Sequence, residues 1–120
     1  MTMRIPLVLA GLCGALGVAL SAMGAHIPGG ASLGTAGLFL LLHGAAFLAL
    51  AALAGRDGMA RPFVAAILIG WTLGLGLFCC DLAARVFLGF RLFPGAAPTG
   101  GVLLILTWLG LALAGLRTHR

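Results

Sequence analysis

Apolar residues run through this chain in long unbroken blocks, and polar residues gather almost entirely between the blocks. Crossing a hydrocarbon core of about 30 Å takes roughly 20 helical residues at 1.5 Å of rise each. Four blocks reach that length. The first covers about residues 5–25, enters through Pro6, which a first helical turn tolerates, and closes at His26-Ile27-Pro28-Gly29-Gly30. The second covers 33–54 and stops at the polar turn Gly55-Arg56-Asp57-Gly58. The third covers 62–84, opening on Pro62 and carrying Asp81 near its end, and the fourth covers 100–116, from Gly100-Gly101 to Leu116 before Arg117. Between the last two, Arg85 to Pro94 is aromatic and bracketed by arginines, a composition suited to lying flat at a membrane interface. The pattern predicts an all-α integral membrane bundle of four transmembrane helices, one domain over residues 1–120.

Composition removes the soluble alternatives. Of 120 residues 62% are hydrophobic and 8% charged, against about 25% charged in a soluble domain. Seven arginines and no lysine give a formal net charge of +5. They stand singly between apolar runs and form no stripe, so they set orientation in a bilayer and do not bind nucleic acid. Arg4, Arg56, Arg61, Arg117 and Arg120 fall on one side of a four-span topology, and Arg85 and Arg91 on the other. The positive-inside rule then puts both termini in the cytoplasm. The first block also has some features of a signal peptide, with Arg4 before it and Ala22-Met23-Gly24 as a small-x-small site. Its length of about 20 residues exceeds the roughly 7 to 15 of such a segment, so a retained helix is expected.

Helices in lipid associate through close fit at small residues. Spacings of four occur at Gly17, Ser21 and Ala25, at Ala45 and Ala49, at Gly70 and Gly74, and at Gly110 and Ala114. They predict a tightly packed bundle, and the same surfaces suit a second copy or a larger membrane complex. Trp71 and Trp108 fall near mid-span, away from the aromatic belts, and read as filling residues.

Polar side chains at membrane depth are where function would reside. His26 and Asp81 lie toward the outer ends of the first and third helices, and His43 lies about 15 Å inside the second. Arg85 is four residues beyond Asp81, able to pair with it on continuous helix. Thr99, Gly100 and Gly101 stand at the start of the fourth helix, whose free N–H groups favour an anion or an acceptor oxygen. One topology crowds His26, His43, Asp81, Arg85, Thr99, Gly100 and Gly101 into the outer half of the membrane. Cys13, Cys79 and Cys80 lie in apolar runs without a CxxC spacing, and adjacent Cys79 and Cys80 point to different faces of a helix. Neither a metal site nor a cofactor is expected from them. No nucleophile elbow, phosphate-binding glycine loop or metalloprotease pattern is present, and two carboxylates are little acid and base equipment, so no enzyme is expected.

Several motifs in order, Gly24-Ala25-His26, His43 with Phe47-Leu48-Ala49-Leu50, Leu77-Phe78-Cys79-Cys80-Asp81-Leu82, Arg91-Leu92-Phe93-Pro94, and Ala97-Pro98-Thr99-Gly100-Gly101 leading to Leu106-Thr107-Trp108-Leu109, span nearly the whole chain. Through them it resembles the YgdD-like family of small bacterial inner-membrane proteins, which share domain of unknown function 423. The resemblance implies a four-helix inner-membrane protein with its first helix retained, and no activity. Many relatives carry Ser-Gly-Ser-Leu-Tyr where this chain has Cys79-Cys80-Asp81-Leu82. Three functions follow as expectations. The first is an accessory, assembly or structural component of a membrane complex. The second is a small proton, ion or solute transporter using Asp81, His43 and His26. The third is binding of an anionic lipid headgroup by Arg85, Arg91 and the start of the fourth helix.

Overall fold

The computed structural model describes residues 3–54, 56 and 59–117. Four helices account for nearly all of them: α1 Arg4–His26, α2 Ala31–Ala54, α3 Arg61–Phe87 and α4 Ala96–Arg117. Each is long and apolar enough to cross a membrane. Their apolar residues surround the helix instead of forming one stripe, as expected when lipid replaces water outside. The protein is a multi-pass membrane protein.

Three boundaries differ from the sequence reading. α2 begins at Ala31, earlier than the expected residue 33. α3 runs on to Phe87, so Arg85 belongs to continuous helix and not to an interfacial segment. α4 starts at Ala96, four residues before the expected start at Gly100, so Pro98 and Thr99 lie inside the helix. The reason is local. Pro98 is the third residue of α4, where the missing N–H is one of the donors a helix start leaves unpaired in any case. The first turn closes through Thr99 N–H to Gly95 O at 2.9 Å. Between α3 and α4 only residues 88–95 remain, folded into tight turns by Gly89 at φ 76° and Gly95 at φ 84°.

Packing is sequential. α1 pairs with α2, α3 with α4, and α2 joins α3. Outer helices α1 and α4 bury 17% of their apolar span, against 44% for α2 and α3. The extents of 51 × 27 × 19 Å agree with a slab about two helix diameters deep.

The two kinds of interface use different chemistry. Within each hairpin, backbones touch at glycine. A Cβ on Gly24 would lie 2.5 Å from Gly34 N, and one on Gly100 would lie 2.7 Å from Gly74 O and 2.6 Å from Phe78 N. Gly37 faces Ser21 and Gly17, and Gly70 faces Thr107. Only with hydrogen at these positions can the helices approach so closely. Between hairpins the contact is made by side chains. Phe39 stacks on Phe78 at 4.4 Å, Phe47 meets Trp71 edge-on at 5.7 Å, and Cys79 Sγ–H donates to Ala36 O at 3.6 Å.

Of the small-residue spacings, Gly17 with Ser21 and Gly70 with Gly74 lie in these interfaces. Ala25, Ala45 and Ala49 instead face outward, and Gly110 has open space at its Cβ position. The real α2 partners are Gly34, Gly37 and Gly44, whose separations of three and seven fall outside a strict spacing of four.

Candidate functional site

Asp81 lies on the α3 face turned toward α4, and its side chain has no solvent exposure. Arg85, one turn later, donates from Nη2 to Asp81 Oδ2 at 2.6 Å. The geometry follows from the four-residue spacing on unbroken helix. The turns after α3 bring Leu92 back, so that its N–H donates to Asp81 Oδ1 at 2.9 Å. The backbone N–H of Ala97, in the first turn of α4, adds a further hydrogen-bonding interaction with the carboxylate. One side chain therefore ties α3, the connection and α4 together. Both oxygens are occupied by donors of this chain, and the start of α4 already faces an anion, the protein's own. Arg85 Nε is buried without a partner among the described residues.

His43 forms a second, separate site. Its Nδ1 lies 2.8 Å from Phe39 O. A carbonyl can only accept, so Nδ1 carries the hydrogen, and Nε2 is the acceptor for Trp108 Nε1–H at 3.0 Å. The imidazole is thus neutral with both nitrogens engaged, and a proton arriving at Nε2 would displace the indole. Trp71 meets the ring at 6.0 Å and 79°, and Trp71 and Trp108 lie 4.7 Å apart. Trp71 is 2% exposed, yet its Nε1–H has no acceptor among the described residues.

The remaining predicted residues join neither group. His26 is exposed at the end of α1, and Thr99 is exposed in the first turn of α4. Gly100 is a helix-packing residue, and Gly101 comes near only Phe78 at 3.9 Å. Arg91 is exposed in the connection. The expected single cluster is divided into an ion-pair site at the end of α3, an aromatic site in the α2–α3–α4 contact, and exposed residues.

Trp71 and Trp108 were missed as site residues. A mid-span histidine without a carboxylate on its own helix needs a neutral donor of long reach, and a tryptophan away from the belts supplies one.

The three cysteines also came together unexpectedly. Cys13, Cys79 and Cys80 line one apolar cleft between α1 and α3. Adjacent positions diverge by about 100° around a helix, and this cleft is wide enough to collect both Cys79 and Cys80. No disulfide joins them, and among the described residues no three His, Cys, Asp or Glu side chains are grouped to hold a metal ion.

The family model described as "Protein of unknown function (DUF423)" matches residues 20–101. No curated protein and no solved structure matches the chain. The matched region contains His43, the Asp81 site and the entry to α4, and it covers about two thirds of the sequence, so the chain belongs to the DUF423 family of proteins of unknown function.

Proposed function

We propose that this protein is a non-enzymatic accessory or assembly component of the bacterial inner membrane, inserted with both termini in the cytoplasm, whose outer helices pack against another membrane protein or a second copy. The supporting observation is the sequential packing. α1 leans mainly on α2 and α4 mainly on α3, and both leave most of their apolar surface outward. Helices gain nothing from hydrophobicity alone inside lipid, so such faces serve association through fit. Solubilisation in mild detergent followed by native gels and in-membrane cross-linking tests the reading. It expects a defined species larger than one chain, and a strictly monomeric 12 kDa protein with no cross-linked neighbour overturns it.

Transport through Asp81, His43 and His26 has less support, because the first two are closed off by partners from the same chain and the third stands apart. Liposome flux unchanged by Asp81→Asn sinks that reading. Headgroup binding at Arg85, Arg91 and the start of α4 is weakened by Asp81, which already sits there.

A further inference from the structure

α1 and α3 run in the same direction on either side of α2 without closing on each other. The space between them is a cleft of about 300 Å³, walled by Leu12 and Leu16 of α1 and by Leu75, Gly76 and Cys80 of α3. A second hollow of about 350 Å³, between Ile5 and Leu68, shares Leu9 and Thr72 with it. The two adjoin at these residues and together form a channel along the bundle. The Thr72 hydroxyl, the one polar side-chain oxygen in the lining, is spent on Leu68 O at 2.7 Å. From Leu68 to Ala83 the channel runs about 22 Å at 1.5 Å per residue.

Size selects the occupant. A helix about 10 Å across and as long as the channel fills on the order of 1,500 Å³, more than the two hollows of about 300 and 350 Å³ hold together. A single hydrocarbon chain fits, because one leaflet is about 15 Å deep. Charge selects the headgroup. Arg61 begins α3 on the same helical face as Leu68 and Thr72, at spacings of seven and eleven residues. It is exposed and makes no hydrogen bond or ion pair among the described residues. Arg4, Arg56 and Arg117 stand at the same end, against one acid of the sequence, Asp57.

We propose that the α1–α3 channel is a lipid-binding site that seats one acyl chain of an anionic phospholipid, with the headgroup held at Arg61. The site does not depend on the accessory role proposed above, and it is distinct from Asp81 and Arg85, which lie on the opposite face of α3.

Native mass spectrometry of the delipidated full chain tests it, with phosphatidylglycerol and phosphatidylcholine of identical chains as probes. One phosphatidylglycerol per protein is expected, retained in preference to phosphatidylcholine. Arg61→Ala should reduce phosphatidylglycerol retention about fivefold, the loss of one basic residue's attraction. A Cβ on Gly76 meets nothing within 4 Å, so Gly76→Leu fills the channel without disturbing the helices. It should abolish retention of both lipids. Leu16→Phe narrows the same channel from the other wall and serves as a second variant. Gly11→Leu, equally unobstructed but outside the channel, should leave binding unchanged. Wild-type retention by folded Gly76→Leu and Leu16→Phe overturns the site. Undiminished phosphatidylglycerol binding by Arg61→Ala overturns the headgroup assignment. A dimer that Gly76→Leu dissociates replaces the lipid with a second copy.

Discussion

Asp81 and His43 are both buried polar side chains in an apolar bundle, and the protein satisfies them in opposite ways. Asp81 sits at the end of α3, where the chain turns, and draws donors from backbone and a charged neighbour within sixteen residues of itself. His43 sits within α2, where no loose backbone is available. Its two nitrogens are served by a carbonyl of its own helix and by an indole 65 residues away. A charged group at depth demands partners close in sequence and close to the interface, where arginine can reach headgroups. A neutral imidazole can wait for a partner that arrives only when the hairpins dock. The first site therefore shapes the α3–α4 hairpin, and the second reports that the two hairpins have met.

The largest expected effect is at Asp81. Replacing it with leucine strands Arg85 and releases Leu92 and Ala97 together. It should cause the greatest loss of stability of any single change discussed, followed by unfolding in mixed micelles on titration with sodium dodecyl sulfate. Asp81→Asn keeps an oxygen for Leu92 N–H and should fall well short of that loss. If asparagine and leucine are equally damaging, the carboxylate's charge carries the site and the backbone contacts are incidental.

Gly100→Ala comes next, because its Cβ would press on the Gly74 carbonyl and the Phe78 amide, neither of which can swing aside. Overpacking of this kind costs about 1–3 kcal/mol. Gly101→Ala, one residue along with nothing nearer than 3.9 Å, should be tolerated. Equal tolerance at both positions would mean that the connection end of the α3–α4 hairpin is held by Asp81 alone.

The His43–Trp108 bond should show a smaller coupling. A double-mutant cycle of His43→Phe and Trp108→Phe should return between about 0.6 and about 1.7 kcal/mol, the average and the maximum for hydrogen bonds between membrane helices. A zero coupling energy would remove the contrast between the two sites. Nitrogen NMR of the labelled imidazole should find hydrogen on Nδ1 and an accepting Nε2.

Trp71→Phe is expected to have the least effect. It deletes an N–H that has no acceptor among the described residues and leaves most of the ring packing on Phe47. Removing an unsatisfied donor can be neutral or stabilising. A marked destabilisation would reveal an acceptor for that N–H, and Trp71 would then join His43 as a polar site residue.

The helix ends show how much of the fold was legible. All four spans stand out because apolar length is read directly from the chain, and both proline-led starts were recognisable at Pro6 and Pro62. The start of α4 was placed at Gly100 because Pro98 looks like a loop residue, whereas position in the first turn makes it compatible with helix. In the site, the Asp81–Arg85 pair was visible in the spacing of four. Leu92 was not, since a backbone N–H carries no sequence signature and reaches Asp81 only through the turns at Gly89 and Gly95. Small-residue spacing found the right faces on part of α1 and on α3, and failed on α2, because glycine pairs along a crossing line need not recur every four residues.

Sequence alone determined the solvent, the number of spans and the candidate ion pair, since each depends on composition or on neighbours along a single helix. Tertiary structure alone decided that His43 binds Trp108, that three separated cysteines border one cleft, and that α1 and α3 stay apart. Those features depend on how two hairpins dock, and in lipid docking is governed by the fit of surfaces, which apolar content does not encode.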